Sequence, residues 1–143
     1  MSAEENKLLA RRLYEQAISR GDLAAVDVLV SPDFQEHNVL PVPPGRESFK
    51  HFVTMLRTAF PDLVFTIEDL VSEEDTVVVR GLVRGTHRGV FRGIAPTGRP
   101  VQWGAIHILR VRDGQFTERW VQVDMLGLLQ QLGAITMHRA ANP

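Results

Sequence analysis

A carboxylate closes the stretch Glu118-Arg119-Trp120-Val121-Gln122-Val123-Asp124, and the apolar run Met125-Leu126-Gly127-Leu128-Leu129-Gln130-Gln131-Leu132-Gly133 follows at once. The stretch reads as a strand that feeds a short helix. Period-2 alternation puts Glu118, Trp120, Gln122 and Asp124 on one face. Two acids, an amide and an indole make a poor hydrophobic core but suit a pocket with polar tips; a solvated strand face is the competing reading. A carboxylate set in an apolar cavity keeps its proton to higher pH, because desolvation disfavours the charge. Such a group can take and return a proton near neutrality, so Asp124 is the candidate general acid–base. Its competing role is to N-cap the helix that starts at Met125.

A second group comes from the preceding strand. Arg112-Asp113-Gly114-Gln115 is a hairpin signal, since Asp-Gly supplies the positive φ angles of a type I′ turn. It pairs Val101–Val111 with Phe116–Asp124. On the first of these strands the set Trp103, Ala105, His107, Leu109 and Val111 is the more apolar, so it is placed inside. His107 and Asp124 then share a cavity with Trp103 and Trp120, and Gln122 faces in with them. His107 can orient the carboxylate or protonate a developing oxyanion; a satisfied core histidine is the alternative.

Other candidates are weaker. His37 and Asn38 stand beside the stiff apolar segment Leu40-Pro41-Val42-Pro43-Pro44-Gly45, which reads as a pocket rim, and they can bond a ligand or cap a loop. Phe52 and Phe65 belong to the apolar lining. Arg80 belongs to a buried polar network or faces outward, and His87, before a glycine-rich segment, is structural or at the mouth. No metal is expected, because the five histidines lack paired spacing and no carboxylate cluster accompanies them. The nucleophile elbow of Ser-His-Asp hydrolases is absent too.

The elements that must position these groups follow in chain order. Ser2-Ala3-Glu4-Glu5 is a capping-box pattern, and the helix it opens, with Leu9, Leu13, Ala17 and Ile18, stops at Gly21. Asp22 caps a short second helix that ends before Pro32. Asp33 to Asn38 is a short extended piece. Phe49, Phe52, Val53, Leu56 and Phe60 mark a third helix from Arg46, which Pro61 stops. From there the period changes to 2: a strand from Leu63, a turn at Ser72–Asp75, a strand from Thr76 to Thr86, a Gly/Pro-rich connection from His87 to Pro100, then the hairpin and the last helix. Thr136 to Pro143 reads as a loose tail. Helices first and antiparallel strands later is an α+β order.

Composition narrows the class. With 143 residues, 44% hydrophobic and 23% charged, the chain fits one soluble domain over 1–143, its core at about 5–134. A net charge of −1, with both signs spread along the chain, points to neither a nucleic-acid nor a membrane partner. There is no cysteine, which removes disulfides and thiolate chemistry. Lacking a long apolar run or a basic leader, the chain is expected to be cytoplasmic.

Several pieces together resemble one family. They are Phe34-Gln35-Glu36-His37-Asn38, Phe60-Pro61-Asp62-Leu63, Gly85-Thr86-His87-Arg88-Gly89, Gly93-Ile94-Ala95-Pro96-Thr97-Gly98, Asp113-Gly114, Glu118-Arg119-Trp120, and Asp124 followed by Leu126-Gly127-Leu128-Leu129-Gln130-Gln131-Leu132-Gly133. In this order they resemble the SnoaL-like polyketide cyclases, or ester cyclases, of the nuclear transport factor 2-like superfamily. The resemblance implies a cone-shaped α+β barrel, a curved antiparallel or mixed sheet with three N-terminal helices over its concave face, dimeric through its outer face. It implies intramolecular aldol closure of a polyketide ring with neither metal nor organic cofactor. It implies Asp124 as acid–base, His107 as its assistant and a pocket role for Asn38. The same scaffold also hosts binding modules and epoxide hydrolases; the latter need Asp124, Glu118 and Arg80 around one water.

Overall fold

The computed structural model describes residues 2–37 and 42–136. Helix α1 (Ala3–Arg12) starts where Ser2 Oγ accepts the Glu5 backbone N–H at 3.1 Å. It runs without a break into a π-helical segment, Leu13–Ser19. Leu13, Tyr14, Ala17 and Ile18 continue the buried stripe of Ala10 at helical spacing. Arg57 then takes the carbonyls that the π-turns leave without partners, bonding Ile18 O at 3.2 Å and Ser19 O at 2.6 Å. Asp22 caps α2 (Leu23–Leu29) through the Ala24 N–H.

The extended piece is longer and earlier than its sequence suggests. It forms β1 (Val30–Glu36), whose Phe34 packs into the core. Helix α3 (Arg46–Ala59) carries Phe49, Val53 and Leu56 inward. Four long strands follow: β2 (Val64–Glu73), β3 (Thr76–Thr86), β4 (Pro100–Arg112) and β5 (Gln115–Val123). Asp113 and Gly114 have φ of 52° and 75°, the pair that a type I′ turn requires. Helix α4 (Met125–Gln131) ends the described fold, and most of the expected tail lies outside the described residues.

The sheet order is β1-β5-β4-β3-β2, with β1 parallel to β5 and every other pair antiparallel. It is a curved mixed sheet under helices, as expected, but not a barrel, because β1 and β2 remain open edges. Strand β4 alternates without a fault: Val101, Trp103, Ala105, His107, Leu109 and Val111 are buried, and every residue between them is exposed. Across from Ala105 stands Gly81. The Phe65 ring lies where a Gly81 side chain would be, so the glycine lets Phe65 reach the middle of the helix-covered face. No helix among the described residues is long and apolar enough to cross a membrane.

Candidate functional site

The hairpin contains the feature that decides the site. Val111 pairs with Phe116, but Arg110 pairs with Glu118, so Thr117 is a bulge. A bulge inverts the facing of everything beyond it. Arg119 therefore pairs with Leu109 on the buried face, Val121 with His107, and Val123 with Ala105. Glu118, Trp120 and Gln122 turn to the opposite face, contrary to their expected position.

Their surroundings agree. Trp120 pairs with Ile108, stacks on His37 with ring centroids 4.4 Å apart, and lies under Arg110 at 5.5 Å. His37 Nε2 meets Glu118 Oε2 at 3.0 Å, and Gln122 is exposed. His37 and Trp120 thus shape the outer face rather than a pocket. Arg80 is also outside, paired with Asp69 at 2.6 Å. With Glu118 and Arg80 outside, the three groups of an epoxide hydrolase do not meet. Asn38 lies outside the described residues.

Asp124 is exposed at the end of β5. Its backbone N–H donates to Gly104 O, and its Oδ1 accepts the Gly127 N–H at 2.9 Å. It caps α4 from an exposed position and is not set in the buried cavity where it was expected. The other carboxylate oxygen packs against Gly127, where any side chain would overlap it.

The buried face holds a different polar group from the expected one. His107, 1% exposed, bonds through Nδ1 to the Tyr14 hydroxyl. Around it are the rings of Phe65 at 5.5 Å and Phe52 at 6.3 Å, as the sequence suggested for both. Trp103 is buried farther along β4, against Phe60 at 5.1 Å. Next to this group Arg119 is fully buried and bonds Glu36 Oε2 through Nε, at 2.8 Å, and through Nη2. Its guanidinium lies 4.0 Å from the Phe52 ring centroid and 4.6 Å from that of Phe49. Arg119 Nη1 and Glu36 Oε1 are sealed in without partners. Tyr14, Arg119 and Glu36 had no place in the sequence reading. The one trace of them was β5 itself, where apolar residues shift from the parity of Phe116 to that of Val121 and Val123.

Burial pushes the Tyr14 hydroxyl well above its ordinary range, so it stays protonated. His107 is driven well below its ordinary value, first by burial and then by the Arg119 charge. The unfolded chain takes up a proton at His107 near pH 6.5, which the folded chain refuses until lower pH. More protons therefore bind the unfolded state below about 6.5, and stability falls with pH there by up to about 1.4 kcal/mol per pH unit. We expect urea midpoints between pH 7.5 and 5 to fall more steeply in the wild type than in His107→Gln; parallel slopes would refute this.

His87 is also buried, its Nδ1 accepting the Thr97 N–H at 3.1 Å and its ring packed on Phe60, so it pins the connection before β4. A surface groove of about 520 Å³ between Asp62, Arg84, Thr86, Gln102 and Gln131 touches none of the candidate residues. No three imidazoles and carboxylates converge among the described residues.

Residues 8–132 match the family model described as SnoaL-like polyketide cyclase. The aklanonic acid methyl ester cyclase of Streptomyces peucetius is 34% identical over 106 residues, 73% of this chain and 71% of that protein. The nogalonic acid methyl ester cyclase of Streptomyces nogalater is 28% identical over 120 residues, 82% of this chain and 90% of that one. Among solved structures, TsrD from Streptomyces laurentii superimposes with a TM-score of 0.88 at 30% identity, covering 94% of this chain and 99% of that one.

Proposed function

The chain belongs to the SnoaL-like polyketide cyclase family, and from that membership we propose that it closes a carbocycle in a polyketide-type ester by an intramolecular aldol reaction. A base removes a proton from a carbon flanked by carbonyls. The C–H electron pair becomes an enolate and then the new C–C bond to a second carbonyl carbon. The π pair of that carbonyl moves to its oxygen, which takes up a proton. Mass is unchanged and no electrons are gained or lost, so this chemistry asks for no redox cofactor. What the protein must add is a folded substrate, a dry surround and two proton-handling groups.

The observation that carries this reading is His107, buried and bonded to Tyr14 between Phe52 and Phe65, on the helix-covered face of a fold shared with methyl ester cyclases. It stabilises the oxygen on which charge develops. Asp124 is the base, supported by its place at the end of the last strand before the Leu126-Gly127-Leu128-Leu129 helix. Being exposed, it acts only on substrate that extends from the buried histidine to the end of β5. A flat aromatic ester bearing a 1,3-dicarbonyl side chain has that shape. The chain works as a homodimer through the outer sheet face, where Ile106 (47% exposed) and Ile108 lie bare beside Trp120.

The test is incubation of the protein with a panel of such methyl esters. The expected product has the substrate's mass, one ring more, and one enantiomer in excess. Tryptophan quenching by the same compounds without turnover would replace the cyclase reading with that of a binding protein. A monomer mass by sedimentation at micromolar concentration would remove the dimer.

A further inference from the structure

Two bonded pairs lie on the buried face, Glu36 with Arg119 and Tyr14 with His107, and the Phe52 ring lies against both the guanidinium and the imidazole; Glu36, Arg119 and Tyr14 are assigned no part in the reaction above. A guanidinium can only donate hydrogen bonds. Two of the Arg119 nitrogens are engaged by Glu36 Oε2, and the rings of Phe52 and Phe49 lie close to its guanidinium carbon. Its remaining nitrogen, Nη1, is sealed in without an acceptor. Tyr14 has one hydroxyl proton and two lone pairs, and its oxygen is bonded to His107 Nδ1. That bond has two forms: the phenol donates to Nδ1, or Nδ1–H donates to the phenol oxygen and the phenol proton points elsewhere. The cation of Arg119, two residues from the His107 pairing on the neighbouring strand and with its charge felt by both the phenol and the imidazole, decides between them. It favours the lone pairs of the Tyr14 oxygen on its own side, and so turns the hydroxyl proton toward the imidazole.

We infer that Glu36, Arg119 and Tyr14 act as a buried relay that holds His107 with Nδ1 as acceptor and the proton on Nε2. His107 is then a hydrogen-bond donor to the developing alkoxide, and it cannot serve as the base that takes the α-proton through Nδ1. Glu36 keeps the guanidinium in place and offsets its charge. Phe52 and Phe49 cover it. Tyr14, Arg119 and Glu36 are positioning residues: they act on the reaction only through the imidazole. This assignment of roles rests on the cyclase reading, whereas the tautomer itself can be measured without any substrate.

The experiment is long-range proton–nitrogen NMR on the full chain labelled with ¹⁵N-histidine, with the His107 signals assigned by comparison with His107→Gln. The expected spectrum shows an unprotonated Nδ1 and a protonated Nε2 from pH 8 to 6. In Tyr14→Phe the preference is lost and both tautomers are seen. With a turned-over ester, kcat in that variant falls about tenfold, the worth of one net hydrogen bond, and KM stays within twofold. A protonated Nδ1 in the wild type overturns the relay even if Tyr14→Phe does not fold. An unchanged tautomer in a folded Tyr14→Phe overturns it as well. Failure of the cyclase reading looks different: no ring-closed product forms whatever the tautomer.

Discussion

Asp124→Asn is expected to lower kcat by about 10²- to 10⁴-fold, the range for removing a positioned general base, and to leave the melting temperature nearly unchanged. The two halves of that statement come from the two jobs of one side chain. Oδ1 accepts the Gly127 N–H and starts α4, and asparagine caps a helix about as well as aspartate does. The substitution therefore keeps the cap and removes only the basic oxygen. Asp124→Ala removes both, and should cost about 1 kcal/mol in stability besides the activity. The comparison matters because Asp124 is exposed. Its power as a base has to come from substrate laid against it at the end of β5. If Asp124→Asn keeps turnover within a factor of two while Asp124→Ala is destabilised, Asp124 is a cap and nothing more, and the base lies elsewhere.

How far these residues were legible depends on what each one needed. Strand β4 could be read because its alternation is complete from Val101 to Val111, so His107, Trp103 and the inner face came out in the right place. The type I′ turn, the Ser2 and Asp22 caps and the inward ridge of α3 are likewise local signals with local causes. Strand β5 could not be read the same way. Thr117 carries no mark of a bulge, and Trp120 on the outer parity imitates an inward residue, so Glu118, Trp120 and Gln122 read as inward although they lie outside. Tyr14 shares the inward stripe of an ordinary helix, with Ala10, Leu13, Ala17 and Ile18 at i, i+3, i+7 and i+8, but nothing local pairs its hydroxyl with an imidazole 93 positions on. Arg119 looked like any solvated arginine. Its partner is 83 positions earlier in the chain, on a strand that pairs with β5 in parallel. Only the topology brings Glu36 and Arg119 together, and no periodicity reports it.

Arg119→Met is expected to cost about 3–5 kcal/mol in stability, a large share of what a domain of this size commonly has. The reason is the group left behind. The Glu36 side chain is 2% exposed, so without the guanidinium its carboxylate must keep an unpaired charge out of water or take up a proton, and either is costly. Glu36→Met strands the cation in the same way, with only Phe49 and Phe52 to soften it. The double change Glu36→Met with Arg119→Met leaves neither charge, fills similar volume with apolar atoms, and should recover most of the loss, as buried pairs replaced together often do. Urea unfolding of the four proteins measures the cycle; single changes costing under about 1 kcal/mol would mean that water reaches the pair. The double variant also separates stability from chemistry. If the pair served only the fold, its turnover would return with its stability. If the pair orients Tyr14 toward His107, the refolded double variant stays slow and its imidazole loses the single tautomer, because two methionines can fill the space of an ion pair but cannot tell a phenol which way to point.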